Sequence, residues 1–135
     1  MSSPLGRAQQ TAQICAQVLN LSVEIQAGFE ERHYGQWQGS YIFQLPSFER
    51  FKQQCYLQPD LLPCNGAEST NAVRTRMTKQ LKLLSQKHLT GNILLISHGD
   101  AIDCLLSIHT TPKTVENGRH LRFIKVVDNF IWDQA

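Results

Sequence analysis

Apolar residues recur along the chain with two periods. Between Arg7 and Leu19, Ala8, Ala12, Cys15 and Leu19 fall at i, i+4, i+7 and i+11, one face of an α-helix. Ser2 or Ser3 is expected to cap that helix and Pro4 to sit in its first turn. Leu21, Val23 and Ile25 then alternate with polar residues, the period of a short strand. Residues 27–39, with glycines at 28, 35 and 39, read as an irregular loop. A short helix is expected between Ser47 and Cys55, in a stretch punctuated by Pro46, Pro59 and Pro63. Val73, Met77, Leu81 and Leu84 mark a longer amphipathic helix from about Ser69 to His88. Beyond the break at Gly91-Asn92, the apolar run from Ile93 to Ser97 reads as a strand buried on both faces. A helix from Ala101 to Ile108 is stopped before Pro112, and Asn117-Gly118 is a turn. Leu121 to Val127 and Phe130 to Trp132 are expected to pair as a hairpin across Asp128-Asn129.

Helices and strands alternate, so the fold class is α/β, with helices packed on a mostly parallel sheet in one domain over residues 1–135. A fold of this kind ordinarily begins with a strand, whereas this pattern opens on a helix. There is no internal repeat and no low-complexity tract.

Composition narrows the function classes. Of the 135 residues, 41% are hydrophobic and 18% charged, which suits a chain with a real core and excludes a disordered tail. The formal net charge of +2, with no basic stripe, gives little counterion-release drive toward nucleic acid. The longest aliphatic run, Ile93 to Ile96, is far short of the about 20 apolar residues a membrane span needs. No secretory signal is expected at the N-terminus. Cys15, Cys55, Cys64 and Cys104 form no C-x-x-C pair and no zinc-ligand spacing with the histidines, so no metal site and no cofactor are expected. Cys15 and Cys104 read as small buried hydrophobes, and a reducing cytoplasm is the expected compartment.

Three segments carry candidate chemistry. Ser97-His98-Gly99 ends the apolar strand where ligands gather in open α/β sheets, and the helix that follows offers free N–H groups to an anion. The alternative is a histidine satisfied by a loop carbonyl. Arg7 stands in the first turn of the opening helix, where a cation gains nothing from the dipole, so it either meets an anion or is simply solvated. Glu30-Glu31-Arg32-His33-Tyr34-Gly35 packs acid, guanidinium, imidazole and phenol into one loop. A carboxyl group there can serve as a general acid if burial raises its pKa, and Arg32 and Tyr34 can hold substrate oxygens. The alternative is a surface loop with local ion pairs.

Taken together, these segments resemble the histidine phosphatase superfamily, the phosphoglycerate-mutase-like proteins. Ser2-Ser3-Pro4-Leu5-Gly6-Arg7-Ala8-Gln9-Gln10-Thr11-Ala12 is similar to that family's SSPLxRAxQTA block. Phe29 to Gly39 is similar to its L-x-E…G-x-W-x-G block, with Glu-Arg-His-Tyr-Gly especially close to the cofactor-dependent mutases. Gly66-Ala67-Glu68-Ser69, with Arg76 after it, resembles the G-x-E-S…R helix start, and Ile93 to Gly99 the second histidine motif. The four blocks stand in the family's order. The resemblance implies a three-layer fold with helices on both faces of the sheet. It also implies hydrolysis of phosphomonoesters through a phosphohistidine. In it Arg7 binds the phosphoryl group, His98 is the second pocket histidine, Glu31 protonates the leaving oxygen, and Arg32, Tyr34 and Gly99 contact substrate. A phosphorylated small molecule or phosphate is the implied ligand.

The departures are informative. The family's first strand ends in Arg-His-Gly, whose histidine is the nucleophile, and that tripeptide occurs nowhere in this sequence. The expectation is therefore a chain truncated at its N-terminus, lacking the first central strand and inactive or nearly so. The alternative is a non-catalytic module that binds a phosphorylated ligand or a protein. Asp103 stands where the family often has Arg, and paired arginines are missing between residues 40 and 65, which favours phosphatase over mutase ancestry. A sheet lacking that strand would expose an edge through which a homo-oligomer could pair.

Overall fold

The computed structural model describes residues 1–107 and Gly118, and the backbone of 122–126 and 129–133. Its helices are α1 (Gly6–Leu19), α2 (Phe48–Gln54), α3 (Thr70–Lys87) and α4 (Gly99–Leu106), and its strands are β1 (Arg122–Val126) and β2 (Asn129–Asp133). Short 3-10 turns at Gly35–Trp37 and Ile42–Gln44 break the segment between α1 and α2.

Helix α3 is the scaffold. Ser69 is extended, and its hydroxyl oxygen accepts the Ala72 N–H at 3.1 Å, which satisfies one of the free donors at the helix start. Val73, Met77 and Leu84 form the buried stripe that the periodicity predicted, with Leu81 partly buried beside them. They pack on Ala101, Cys104 and Leu105 of α4 and on Phe29, which is fully buried. Met1, Tyr56 and Leu95 close the edges of this core.

At the N-terminus the structure corrects the sequence reading. Ser2 and Ser3 do not cap α1. Leu5 holds the N-cap position with no side-chain bond, Pro4 lies outside the helix, and both serines are extended and fully buried. Nor does the chain open on a helix. Ser2 N–H donates to Glu24 O at 2.9 Å, and Gln26 N–H donates to Ser2 O at 2.8 Å. On the other side Ser3 N–H donates to Ile96 O at 2.9 Å, and Ile96 N–H to Met1 O at 3.0 Å. Ser2 thus bridges in parallel to both Ile25 and Ile96. The apolar face of α1 is also shorter than its spacing suggested: Ala8 and Ala12 are buried, Cys15 is half-buried, and Leu19 is exposed.

The strands expected at 21–25 and 93–97 reduce to these bridges. Each pairs with Met1–Ser3 through a few backbone hydrogen bonds. Ile93 and Leu94 are 42% and 47% exposed, which overturns the expectation of a strand buried on both faces. Among the described residues, the regular sheet is the expected antiparallel hairpin of β1 and β2, but its register, from Arg122↔Asp133 to Val126↔Asn129, puts Asn129 in β2 rather than in the connection. The expected end of the 101–108 helix, the turn at Asn117, and Leu121, Val127 and Asp128 fall outside the described residues. The described residues combine helices with short parallel bridges and do not draw the full three-layer sheet. No helix among them is long and apolar enough to cross a membrane.

This core sets a stability contrast. Met77→Ala is expected to cost about 2–5 kcal/mol in urea unfolding, since it empties a buried site between α3 and α4. Ile14→Ala, at a position 65% exposed on α1, is expected to stay within about 0.5 kcal/mol. Equal losses would contradict the packing described.

Candidate functional site

The peptide ladder through Met1–Ser3 sets one side of the site. It places Ser3 against His98, whose Nε2 lies 2.8 Å from the Ser3 hydroxyl oxygen. That oxygen also accepts the Leu5 N–H at 3.3 Å, so its own proton is free to go to the ring. His98 is the extended N-cap residue of α4 and is buried, 6% exposed. Burial, followed by the positive charge of Arg7, pushes its pKa down to about 4, so the ring is neutral at pH 7. Arg7 is exposed in the first turn of α1, and its guanidinium has no hydrogen-bond or ion-pair partner among the described residues.

Glu31 forms the facing side. Its Oε1 accepts the Arg32 N–H at 3.0 Å and the Ala101 N–H at 2.9 Å, while Oε2 has no partner among the described residues. Burial raises the Glu31 pKa, and the Asp100 charge adds to the rise. The two N–H bonds and Arg7 oppose it without cancelling it. His98, the N-cap of α4, and Glu31, which accepts the Ala101 N–H, share the start of that helix, and the charge of Arg7 lowers the pKa of both.

Two further clamps hold the loop that carries Glu31. Arg76 of α3 binds Glu68 through Nε at 2.8 Å and Nη2 at 3.0 Å, and also donates to Gly28 O at 3.0 Å and Glu31 O at 3.1 Å. Ser97 Oγ donates to Phe29 O at 2.8 Å, tying the loop to the approach to His98. Gly35 has φ +54°, and a Cβ there would strike the Asn65 carbonyl oxygen and the backbone at Gly66–Ala67, so only glycine lets the loop lie this close.

Arg32 and Tyr34 were expected to contact substrate. The structure turns both toward the interior. Arg32 is buried, with Nε on Asp100 Oδ2 at 2.7 Å, Nη1 on Glu68 O at 3.4 Å, and Nη2 on Thr70 Oγ1 at 3.1 Å and Cys104 Sγ at 2.7 Å. The Tyr34 hydroxyl donates to Asp100 Oδ2 at 2.6 Å, and its ring packs on Phe48 and Phe51. Gly99 is the first residue of α4, beside His98. The site also contains groups the sequence reading did not single out. Lys52 Nζ and the Tyr56 hydroxyl donate to Asp100 Oδ1 at 2.5 and 3.1 Å. Burial alone would raise the Asp100 pKa, but Arg32 and Lys52 overcome it and hold the group at about 2. Among the described residues, no group of three or more His, Cys, Asp or Glu is arranged to hold a metal ion.

Comparison with known proteins gives this geometry a family. The model of the histidine phosphatase superfamily (branch 1) matches residues 1–125. An uncharacterized phosphatase, PhoE, of Bacillus subtilis (strain 168) is 32% identical over 107 residues, covering 79% of this chain and 50% of that protein. A probable phosphoglycerate mutase, GpmB, of Yersinia pestis (strain Pestoides F) is 32% identical over 108 residues, with the same coverage of 79% and 50%. The chain thus spans about half the length of the curated relatives it matches. Among solved structures, a mycobacterial glucosyl-3-phosphoglycerate phosphatase superposes with a TM-score of 0.66 at 25% identity, over 79% of this chain and 54% of that one. The same phosphatase in complex with inorganic phosphate gives 0.64 at 25% identity, over 79% and 56%.

The surroundings of His98 set a titration. In 1H–15N spectra its ring is expected to titrate near pH 4, and a midpoint above pH 6 would contradict burial beside Arg7. The folded pKa lies below the unfolded value of about 6.5, so the unfolded chain binds the proton first as pH falls. Stability contributed by neutral His98 is therefore present above that unfolded pKa. It is lost as pH falls toward 4, which urea midpoints across that window would register.

Proposed function

The chain belongs to the histidine phosphatase superfamily, and from that premise we propose that it carries the phosphate-holding and proton-donating half of a phosphomonoesterase site. The observation that supports the reading is that Glu31 and His98 share the start of α4, Glu31 Oε1 accepting the Ala101 N–H and His98 holding the N-cap position. A phosphoryl group needs cations and N–H donors around its oxygens, and the protein supplies little else. Arg7 supplies a cation whose guanidinium has no hydrogen-bond or ion-pair partner among the described residues. Gly99, at the helix start, brings backbone N–H close to the anion without a side chain in the way. His98 is neutral before the anion arrives and gains reason to hold a proton once the anion offsets Arg7. Glu31, protonated over a wider pH range than an ordinary glutamate, donates from Oε2 to the leaving oxygen as its bond to phosphorus breaks.

Arg32 and Tyr34 serve in this reading by fixing Asp100 and the start of α4 rather than by touching substrate. Hydrolysis is favoured over the mutase reaction, because no paired arginines stand between residues 40 and 65 to hold a phosphoglycerate. The attacking imidazole that the resemblance assigns to Arg-His-Gly has no counterpart in the sequence, so these 135 residues bind the phosphoryl group and turn it over slowly or not at all.

Inorganic phosphate is expected to raise the melting temperature of the chain, and Arg7→Ala is expected to weaken phosphate binding by about tenfold or more, the loss of a charge-assisted contact. Glu31→Gln should bind phosphate as the unchanged chain does. Release from p-nitrophenyl phosphate should be close to background. No phosphate-dependent shift would remove the binding role, and a rate typical of ordinary enzymes that His98→Ala abolishes would remove the claim of low turnover.

A further inference from the structure

Asp100 poses an electrostatic problem for an anion site. It is the second residue of α4, whose start faces the proposed phosphoryl position. A carboxylate in the first turn suits the helix dipole but repels any other anion bound at that end. The group is mostly buried, with a side-chain exposure of 11%, so water screens it poorly. Its reach into the site is visible in Glu31, whose pKa it helps to raise.

The structure shows how the carboxylate is offset. Oδ2 takes Arg32 Nε and the Tyr34 hydroxyl, and Oδ1 takes Lys52 Nζ and the Tyr56 hydroxyl. The two phenols satisfy lone pairs but carry no charge. Arg32 alone cancels Asp100, and Lys52 supplies the surplus that leaves the cluster with one net positive charge. Lys52 lies on α2, forty-eight residues away in sequence, and its side chain is 27% exposed. It is thus the peripheral member of the cluster, while Arg32 is fully enclosed.

We propose that Lys52 is a positioning residue for anion binding: by pairing with Asp100 Oδ1 it gives the buried Arg32–Asp100 cluster a net positive charge, which favours a phosphoryl group beside His98 and Gly99. The inference rests on the phosphate-binding reading above. It assigns α2 a part in the site although α2 need not touch the ligand.

The test is calorimetric titration of inorganic phosphate into the full chain at low ionic strength, with urea midpoints measured alongside. Lys52→Met is expected to weaken phosphate binding by on the order of tenfold, as a unit charge is lost near a dianion. Lys52→Arg, which keeps the charge, should stay within about threefold. The decisive variant is Lys52→Met combined with Asp100→Asn, which restores the net positive charge through Arg32. It should regain most of the lost affinity even if its urea midpoint falls further. A merely structural clamp would predict the reverse, since the double variant removes both of its ends. Should Lys52→Met fail to fold, Lys52→Gln takes its place in both single and double form. Affinity of the single variant within about twofold of the unchanged chain, or a double variant no better than the single, would overturn the proposal. If the unchanged chain binds no phosphate, the phosphate-binding reading falls and this inference with it. If Arg7→Ala loses binding and Lys52→Met does not, this inference alone falls.

Discussion

The site depends on a backbone ladder only three residues wide. Met1–Ser3 lies extended between Glu24–Gln26 and Leu94–Ile96 and exchanges main-chain hydrogen bonds with both. Backbone donors and acceptors buried this deeply must be paired, so the register is specified by the cost of leaving any of them empty. That register determines the rest. It sets Ser3 beside the His98 ring, and α1 begins three residues further on, with Arg7 in its first turn. A slip of one residue would turn Ser3 to the opposite face and take the hydroxyl away from the imidazole.

A second constraint is the burial of charge. Arg32 and Asp100 are both withdrawn from water, a placement that costs several kcal/mol per ion unless hydrogen bonds repay it. Here they do. Every nitrogen of the Arg32 guanidinium has an acceptor, and both oxygens of Asp100 have two donors each. Such a cluster adds little net stability, because apolar residues of the same volume could replace it at comparable cost. What it adds is orientation. The donors come from the 32–34 loop, from α2 and from Tyr56, two residues past its end, and the acceptor sits in the first turn of α4. Satisfying that one carboxylate therefore requires three separate segments to be in place at once.

These facts also explain what could be read from the sequence. Local order was legible where one period dominated: the stripe of α3, its start near Ser69, the position of α2 and the existence of the hairpin all follow from neighbours within a few residues. The motif order pointed to the family. What was illegible is what depends on pairing across distance. Nothing local distinguishes Ser2 and Ser3 as sheet residues rather than helix caps, since their partners are at Glu24 and Ile96. Arg32 and Tyr34 carry the residue types of a substrate contact, and only the placement of Asp100 turns them inward. Lys52 shows no signal at all, because its partner is forty-eight residues away and the helix around it is short.

The two arginines at residues 7 and 32 show why one site can need both an exposed and an enclosed cation. Arg32 has spent its charge on a carboxylate and is no longer available to a ligand. Arg7 has no such partner, and its charge is felt by the two groups nearest the helix start: it lowers the proton affinity of His98 and of Glu31 alike. In the proposed reading, an anion that settles against Arg7 reverses both effects together. His98 then gains a proton to donate to a ligand oxygen, and Glu31 holds its own more firmly until a leaving oxygen claims it. In the proposed reading, ligand binding and proton uptake are therefore coupled through Arg7. That coupling is lost if the cation is pre-paired, and this is the physical reason for keeping it at the surface, away from the carboxylates that neutralise its counterpart.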